Sequence, residues 1–325
     1  MRAWYLDEAP GSYQFGEIPT PDPGPGEVRI ELRASGLNHL DLWVAKGMPA
    51  PHEFPHVSGG DGAGVVDAIG DDVTSVSPGD EVVIHPTVSW TGGGDAQILG
   101  EHVQGTLAEY VVVPAENAFA KPANLSWEEA GSFALATGTA WRMLRRARLT
   151  DGAKVLVVGV GGGVSSAALG IAVAMGANVW VTSRDPQKIA WAKELGAVDG
   201  FDSTEEFARA VKGATDGGVD IVVENVGAAT WNQSMRSLVT GGRLVTCGST
   251  AGAKVEITIP YLFFKQLELI GSTMFGPDDF AEVLELVALG RIPVKVDSVF
   301  GFDEVPAALA HLESGEQFGK IAIGR

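Results

Sequence analysis

The residues with the plainest chemical capacity are glycines. In VLVVGVGGGVSSAALGIAVAMGANVWV a β-branched run ends at Gly159, and Gly161, Gly162 and Gly163 follow before an Ala-rich stretch. A strand that turns through glycines straight into a helix leaves backbone N–H groups free at the helix N-terminus, where they suit a pyrophosphate. Glycine is needed because a Cβ would block the close approach. The spacing departs from G-x-G-x-x-G: counted from Gly159 the third glycine is Val164, and shifted by one residue it is Ser165. Taken alone, the cluster is also compatible with a sharp structural turn.

The next strand selects the nucleotide. Folds that bind NAD place an Asp or Glu at its end for the ribose 2′-OH, whereas VTSRDPQK here presents Ser183 and Arg184 first. An Arg at that point suits a 2′-phosphate, and Lys188 is near enough in sequence to add a second cation. NADPH is therefore the expected cofactor. The alternative is that Arg184 is an ordinary exposed residue and Asp185 serves the ribose.

Elements that would position these groups can be read on either side. Glu27 to Ala34 alternates as EVRIELRA, and further apolar runs occur at 64–69 and 81–84, separated by PTPDPGPG, DDVTSVSPGD and TGGGDA. Such strands and turns predict an all-β barrel or sandwich for the first part of the chain. The period changes near Ser126, where SWEE is a capping box, and a helical stretch to about Arg148 is expected after a break at Thr137-Gly138. Strands at 155–159, 179–183, 221–227 and 243–248 then alternate with helices, which predicts a parallel sheet covered on both faces. LELIG at 267–271 adds a strand, 280–289 a helix, and KIAIGR a last strand able to return to the first domain.

Composition narrows the function classes. The chain has 325 residues, 20% charged and 45% apolar, which fits two globular domains. Its single cysteine, Cys247, rules out an internal disulfide and a zinc cluster built from several thiolates. A formal net charge of −18 repels nucleic acid and anionic membrane, and a surface adapted to high salt is one reading of it. No charge interrupts Val155 to Ser183, but its glycines and β-branched ends fit strand, turn, helix and strand better than a membrane span. No targeting segment is visible at the start, so a cytoplasmic location is expected.

GLNHLDLWVAKG, FPHVSGGDGAGVVDAIG, VSPGDEVV, QGTLAEYVVVP, the glycine loop, GSTAG and FGKIAIG occur in this order. Together they resemble the medium-chain dehydrogenase/reductase superfamily over essentially the whole chain. The resemblance implies an α/β protein with a GroES-like β-barrel catalytic domain, residues 1–122 and 274–325, and a Rossmann doubly wound cofactor domain, residues 123–273. A nicotinamide cofactor would lie in the cleft. Thr137, Asn225, Val226, Cys247 and Gly248 are carried over as residues near the nicotinamide.

The departures from the family pattern bear on mechanism. In its zinc alcohol dehydrogenases a Cys stands where this chain has Asn38, a proton-relay hydroxyl where it has Leu40, and a His where it has Gly60. The third ligand should lie shortly before Thr137, where the residues are Phe133, Ala134 and Leu135, and the loop of the structural zinc matches roughly Ser89 to Leu99, which has no cysteine. No metal is expected, and the six histidines show no short helical pair. His39 matches a basic residue near the pyrophosphate.

Without a Lewis acid, alcohol oxidation loses the group that lowers the alcohol's pKa. Hydride transfer from NADPH to a quinone, enone or enoyl thioester remains, because conjugation delocalises the developing charge and hydrogen-bond donors suffice. The pattern is similar to the zinc-independent quinone oxidoreductase-like branch, in which Asn replaces the zinc-binding Cys. Asn38 is the candidate catalytic contact; a turn-stabilising role is its alternative. Trp43, Phe54, Trp90 and Phe275 are candidates to line an apolar cleft. A zinc-free alcohol dehydrogenase or aldehyde reductase, or a non-catalytic NADPH-binding protein, are the competing readings. Apolar TIPYLFF at 258–264, just before LELIG, predicts a homodimer or homotetramer.

Overall fold

The computed structural model describes residues 1–92 and 96–325. Residues 93–95, inside the TGGGDA turn and the Ser89 to Leu99 loop, lie outside the described residues. The chain divides into two compact units, Met1–Gly138 with Met274–Gly290 and Val294–Arg325, and Thr139–Thr273 with Arg291–Pro293.

The first unit opens with β1 (Arg2–Leu6), β2 (Gln14–Glu17), β3 (Glu27–Leu37), α1 (His39–Ala45), β4 (His56–Val57) and β5 (Asp61–Ile69). It continues through β6 (Glu81–Ile84), β7 (Thr87–Ser89), β8 (Gln97–Ile98), β9 (Tyr110–Pro114), β10 (Ala118–Ala120), α2 (Trp127–Ala130) and the start of α3 (Ala134–Arg146). The long strand β3 organises it. Val28, Ile30 and Leu32 alternate onto a buried face with Val66, Val82, Ile84 and Val111, as period-2 patterning requires. β3 pairs with β5 and β9, and on its far part with the C-terminal strand.

The second unit carries β11 (Lys154–Val157), α4 (Gly163–Ala174), β12 (Asn178–Ser183), α5 (Pro186–Glu194), β13 (Asp199–Asp202), α6 (Phe207–Ala214) and β14 (Val219–Glu224). α7 (Trp231–Arg236), β15 (Leu238–Thr246), α8 (Ile259–Phe264) and β16 (Glu268–Gly271) complete it. Its six strands run in the order β13-β12-β11-β14-β15-β16, all parallel, which is the doubly wound Rossmann arrangement. The chain returns to the first unit as α9 (Pro277–Ala288), β17 (Val296–Gly301), α10 (Val305–Ser314) and β18 (Lys320–Gly324).

By contacts the compact units part at Gly138, since the segment after Ser126 packs on the first unit's sheet. A Cβ on Gly131 would stand 2.6 Å from the Ala34 carbonyl oxygen, and one on Gly36 2.5 Å from Ser132 Cα. One expectation changes: the helix does not break at Thr137-Gly138, because α3 runs through both, and Gly138 admits the Phe275 ring, whose Cζ would lie 2.2 Å from a Cβ there. The SWEE capping box forms as expected, with the Glu129 N–H on Ser126 Oγ and the Ser126 N–H on the Glu129 carboxylate. No helix among the described residues is long and apolar enough to cross a membrane.

Candidate active site

In the second unit the glycine loop joins β11 to α4. Gly159 has φ +70° and Gly161 φ +132°, backbone conformations that favour glycine, and Gly162 is the extended N-cap of α4. The turn is held from both sides. The Gly159 N–H donates to Thr182 Oγ1 at 3.0 Å, and Ser165 Oγ donates to the Gly159 carbonyl at 3.0 Å. Val160 N–H donates to the Thr182 carbonyl at 2.8 Å. Gly162 and Gly163 supply the open N-terminus of a twelve-residue helix, and Val164 lies in its first turn.

The groups expected to read the ribose lie at the end of β12. Ser183 is buried and its Oγ accepts from the Asp185 N–H at 3.1 Å. Asp185 caps α5, its carboxylate accepting from the Gln187 N–H at 2.8 Å, so that carboxylate has a structural task. Arg184 is exposed. Lys188 points back over the glycine loop: a Cβ on Gly161 would stand 2.7 Å from its Cδ and 3.1 Å from its Nζ. It is thus a buried cation at the loop itself, which a count along the helix does not reveal.

At the carboxyl ends of β14 and β15 the sheet opens into a depression lined by Gly227, Thr246, Cys247, Gly248, Ser249 and Ser272. Asn225 and Val226 border it, Val226 touching the place a Cβ on Gly159 would occupy at 2.7 Å. Sequence reasoning missed the group that shapes this rim. Glu224 is fully buried, and its carboxylate accepts from the Val226 and Gly227 N–H groups at 2.6 and 3.0 Å and from the Thr230 and Ser234 hydroxyls at 2.9 and 2.6 Å. Burial pushes the Cys247 thiol up to about 12, so it is no thiolate nucleophile.

In the first unit, Asn38, Gly60 and Leu135 come together. A Cβ on Gly60 would stand 2.7 Å from Leu135 Cδ1 and 3.9 Å from Asn38 Nδ2. Two positions that match zinc ligands in relatives are therefore adjacent, but they hold an amide and no side chain, and beside them Leu135, one of the three residues where the third ligand is expected, presents an isobutyl group. This set does not fit a zinc ion, and Leu135 fills the space that a His at Gly60 would enter. Asn38 is buried at the N-cap of α1 and donates from Nδ2 to Asp61 Oδ2 at 2.9 Å, while Lys320 Nζ donates to its Oδ1. The Asp41 carboxylate accepts from the Asn38 and Gly59 backbone N–H groups at 2.7 and 3.0 Å. Burial raises the Asp41 pKa to about 6.

Thr137 is buried in α3, in the first unit. Burial lowers the His39 pKa, and Lys320 and Lys46 lower it further. Of the four aromatic candidates, Phe275 is a core residue packed on His85 at 5.2 Å rather than a cleft-lining one.

Comparison with known proteins gives the class. Residues 24–123 match the alcohol dehydrogenase GroES-like domain and residues 163–288 the zinc-binding dehydrogenase domain. A zinc-type alcohol dehydrogenase-like protein of Schizosaccharomyces pombe is 33% identical over 92% of this chain and 91% of its own. The chain belongs to the medium-chain dehydrogenase/reductase superfamily. Among solved structures, an NAD-dependent alcohol dehydrogenase is 37% identical with a TM-score of 0.95 and full coverage of both chains. A 2-octenoyl-CoA carboxylase reductase, in complex with NADP and 2-octenoyl-CoA, is 27% identical with a TM-score of 0.92, covering 99% of this chain and 87% of that one.

Proposed function

We propose that this protein is an NADPH-dependent reductase that delivers hydride to a conjugated acceptor, an enoyl thioester, enone or quinone, without zinc. The observation that carries the reading is the pairing of a strand, glycine turn and helix with zinc-ligand positions that hold Asn38 and Gly60, beside Leu135. The solved relative holding NADP and an enoyl thioester supports the same cofactor and substrate class.

The residues fit the cofactor. Gly162 and Gly163 open the N-terminus of α4 without side chains, a Cβ on Gly161 would collide with Lys188, whose cation lies over the loop, and Arg184 with Ser183 is assigned to a 2′-phosphate. Glu224 keeps Asn225, Val226 and Gly227 in the turn that borders the nicotinamide end, with Cys247 and Gly248 opposite. Thr137 is assigned to the nicotinamide as in relatives. NADPH supplies a hydride when bound. As the β-carbon of the acceptor takes it, negative charge gathers on the carbonyl oxygen, and the α-carbon then takes a proton from solvent. An Asn38 N–H is the donor we assign to that oxygen.

A panel of crotonyl-CoA, a quinone and a simple aldehyde, followed by NADPH oxidation with and without chelator, tests the reading. Turnover of crotonyl-CoA or the quinone, unchanged in chelator, is expected; aldehyde reduction alone would favour a zinc-free aldehyde reductase. That second reading draws on the alcohol dehydrogenase relatives.

We infer a homodimer or homotetramer as well. Ile259, Phe263 and Phe264 of α8 are exposed beside β16, the last strand of the parallel sheet. Apolar side chains next to a sheet edge suit pairing with a second copy. A cytoplasmic location belongs to the same reading, since the chemistry needs a reduced nicotinamide pool.

A further inference from the structure

The buried polar groups around Asn38 form an ordered set that the function above uses only in part. β18 pairs with β3 so that Ile321 faces Leu37, and this register brings Lys320 beside Asn38. The Lys320 and Asp61 side chains are 7% and 0% exposed, with Nζ and Oδ2 3.0 Å apart. Lys320 Nζ also donates to the Leu37 carbonyl at 2.7 Å and to Asn38 Oδ1. Asp61 accepts from Asn38 Nδ2 at 2.9 Å through one oxygen and from the Leu135 N–H at 2.6 Å through the other.

The Asn38 amide therefore bridges a buried ion pair, its oxygen on the cation and its nitrogen on the anion. Rotating it by half a turn would set the NH2 against the ammonium and the oxygen against the carboxylate, two repulsive contacts where solvent does not screen them. We propose that Lys320 and Asp61 are positioning residues that fix the Asn38 amide in this one orientation. One N–H is then held by Asp61. The other meets only the Gly36 carbonyl, at 3.5 Å, among the described residues, and is the hydrogen left for the substrate's carbonyl oxygen. This inference rests on the role proposed for Asn38. It adds why an amide, which has two faces, presents a donor there, and it gives the terminal strand a part in the site.

Breaking the pair at one end would leave a buried charge without a partner, so the informative variant neutralises both ends, Lys320→Met with Asp61→Asn. The variant should bind NADPH with an unchanged Kd by fluorescence titration while its kcat for an enoyl thioester falls about a hundredfold, the loss typical of one oxyanion donor. Asn38→Ala should cause a similar loss, and adding it to the double variant should cost nothing more. A kcat within about twofold of the parent, or losses that multiply in full, would overturn the proposal. A second measurement requires neither variant folding nor turnover: in the unmodified protein one Asn38 side-chain amide proton should be shifted well downfield of its geminal partner by the Asp61 carboxylate. Two ordinary, nearly equivalent protons would overturn the positioning role. Failure of every acceptor in the NADPH panel would overturn the proposed function and leave that spectrum unaffected.

Discussion

Lys188 lies across Gly161, near enough that a methyl group on the glycine would collide with its Cδ. The contact joins the first turn after β11 to the helix after β12, so one side chain reports on two parts of the proposed nucleotide site. Gly161→Ala should both strain the backbone, because φ is +132°, and push Lys188 away from the loop. A stability loss of about 1–3 kcal/mol in denaturant unfolding is expected, together with a rise in the KM for NADPH of about tenfold or more. Lys188→Met, which keeps the aliphatic stem, should raise that KM without the stability loss. Unchanged cofactor kinetics in both variants would remove the loop from the phosphate site.

Arg184 gives the sharper test of nucleotide choice. With Asp185 engaged as the cap of α5, the end of β12 offers a 2′-phosphate the Arg184 cation. A charge-assisted hydrogen bond contributes about 1.5–3 kcal/mol, roughly ten- to a hundredfold in affinity. Arg184→Ala should raise the KM for NADPH by a factor in that range and leave the KM for NADH nearly alone. kcat should hardly change, because the phosphate is remote from the reacting carbon and binds ground and transition states alike. Equal use of both cofactors by the unmodified enzyme would overturn the assignment.

Much of this site was legible in local sequence because its parts are local. Strand, glycine turn and helix follow one another directly from Lys154 to Ala174, and the capping box at Ser126 spans only a few residues. The pair Lys320–Asp61 was not legible. Its members are far apart in the chain, neither belongs to a periodic pattern, and only the pairing of β18 with β3 brings them together. Glu224 escaped notice for a related reason: an acid at the end of an apolar strand reads as an exposed terminus until the turn that follows folds its N–H groups onto it. The unbroken helix through Thr137-Gly138 shows tertiary packing overriding propensity, since Phe275, distant in sequence, occupies the space that Gly138 leaves.

Assembly can be tested at α8. Phe264 is 77% exposed and Phe263 57%, with ring centroids 4.6 Å apart. A carboxylate there would be desolvated at any interface built on this face. Phe264→Asp should convert the oligomer to a 33.9 kDa monomer in a sedimentation run at micromolar concentration, with the thermal unfolding of the separated chain little changed. A parent protein that already sediments at 33.9 kDa would show that the face is not used this way.

Acid stability should be governed in part by His85. The imidazole is 2% exposed, packed among Phe119, Phe275 and Phe280, and burial lowers its pKa from 6.5 to about 4. In the folded chain it stays neutral down to that pH, whereas in the unfolded chain it takes up a proton as the pH falls through 6.5. Between those values the unfolded state binds more protons, so stability falls as the medium is acidified and is recovered in full above pH 6.5. At pH 5 the loss from this one group is about 2 kcal/mol, since each pH unit below the unfolded pKa contributes about 1.4 kcal/mol. His85→Leu removes the titrating group and leaves Asn117 Nδ2 its bonds to the His85 and Thr87 carbonyls, both at 2.8 Å. Urea unfolding at pH 7.5 and pH 5 should therefore show a difference smaller by about 2 kcal/mol in the variant than in the parent. Equal differences in the two proteins would mean that His85 is protonated in the folded state over this range.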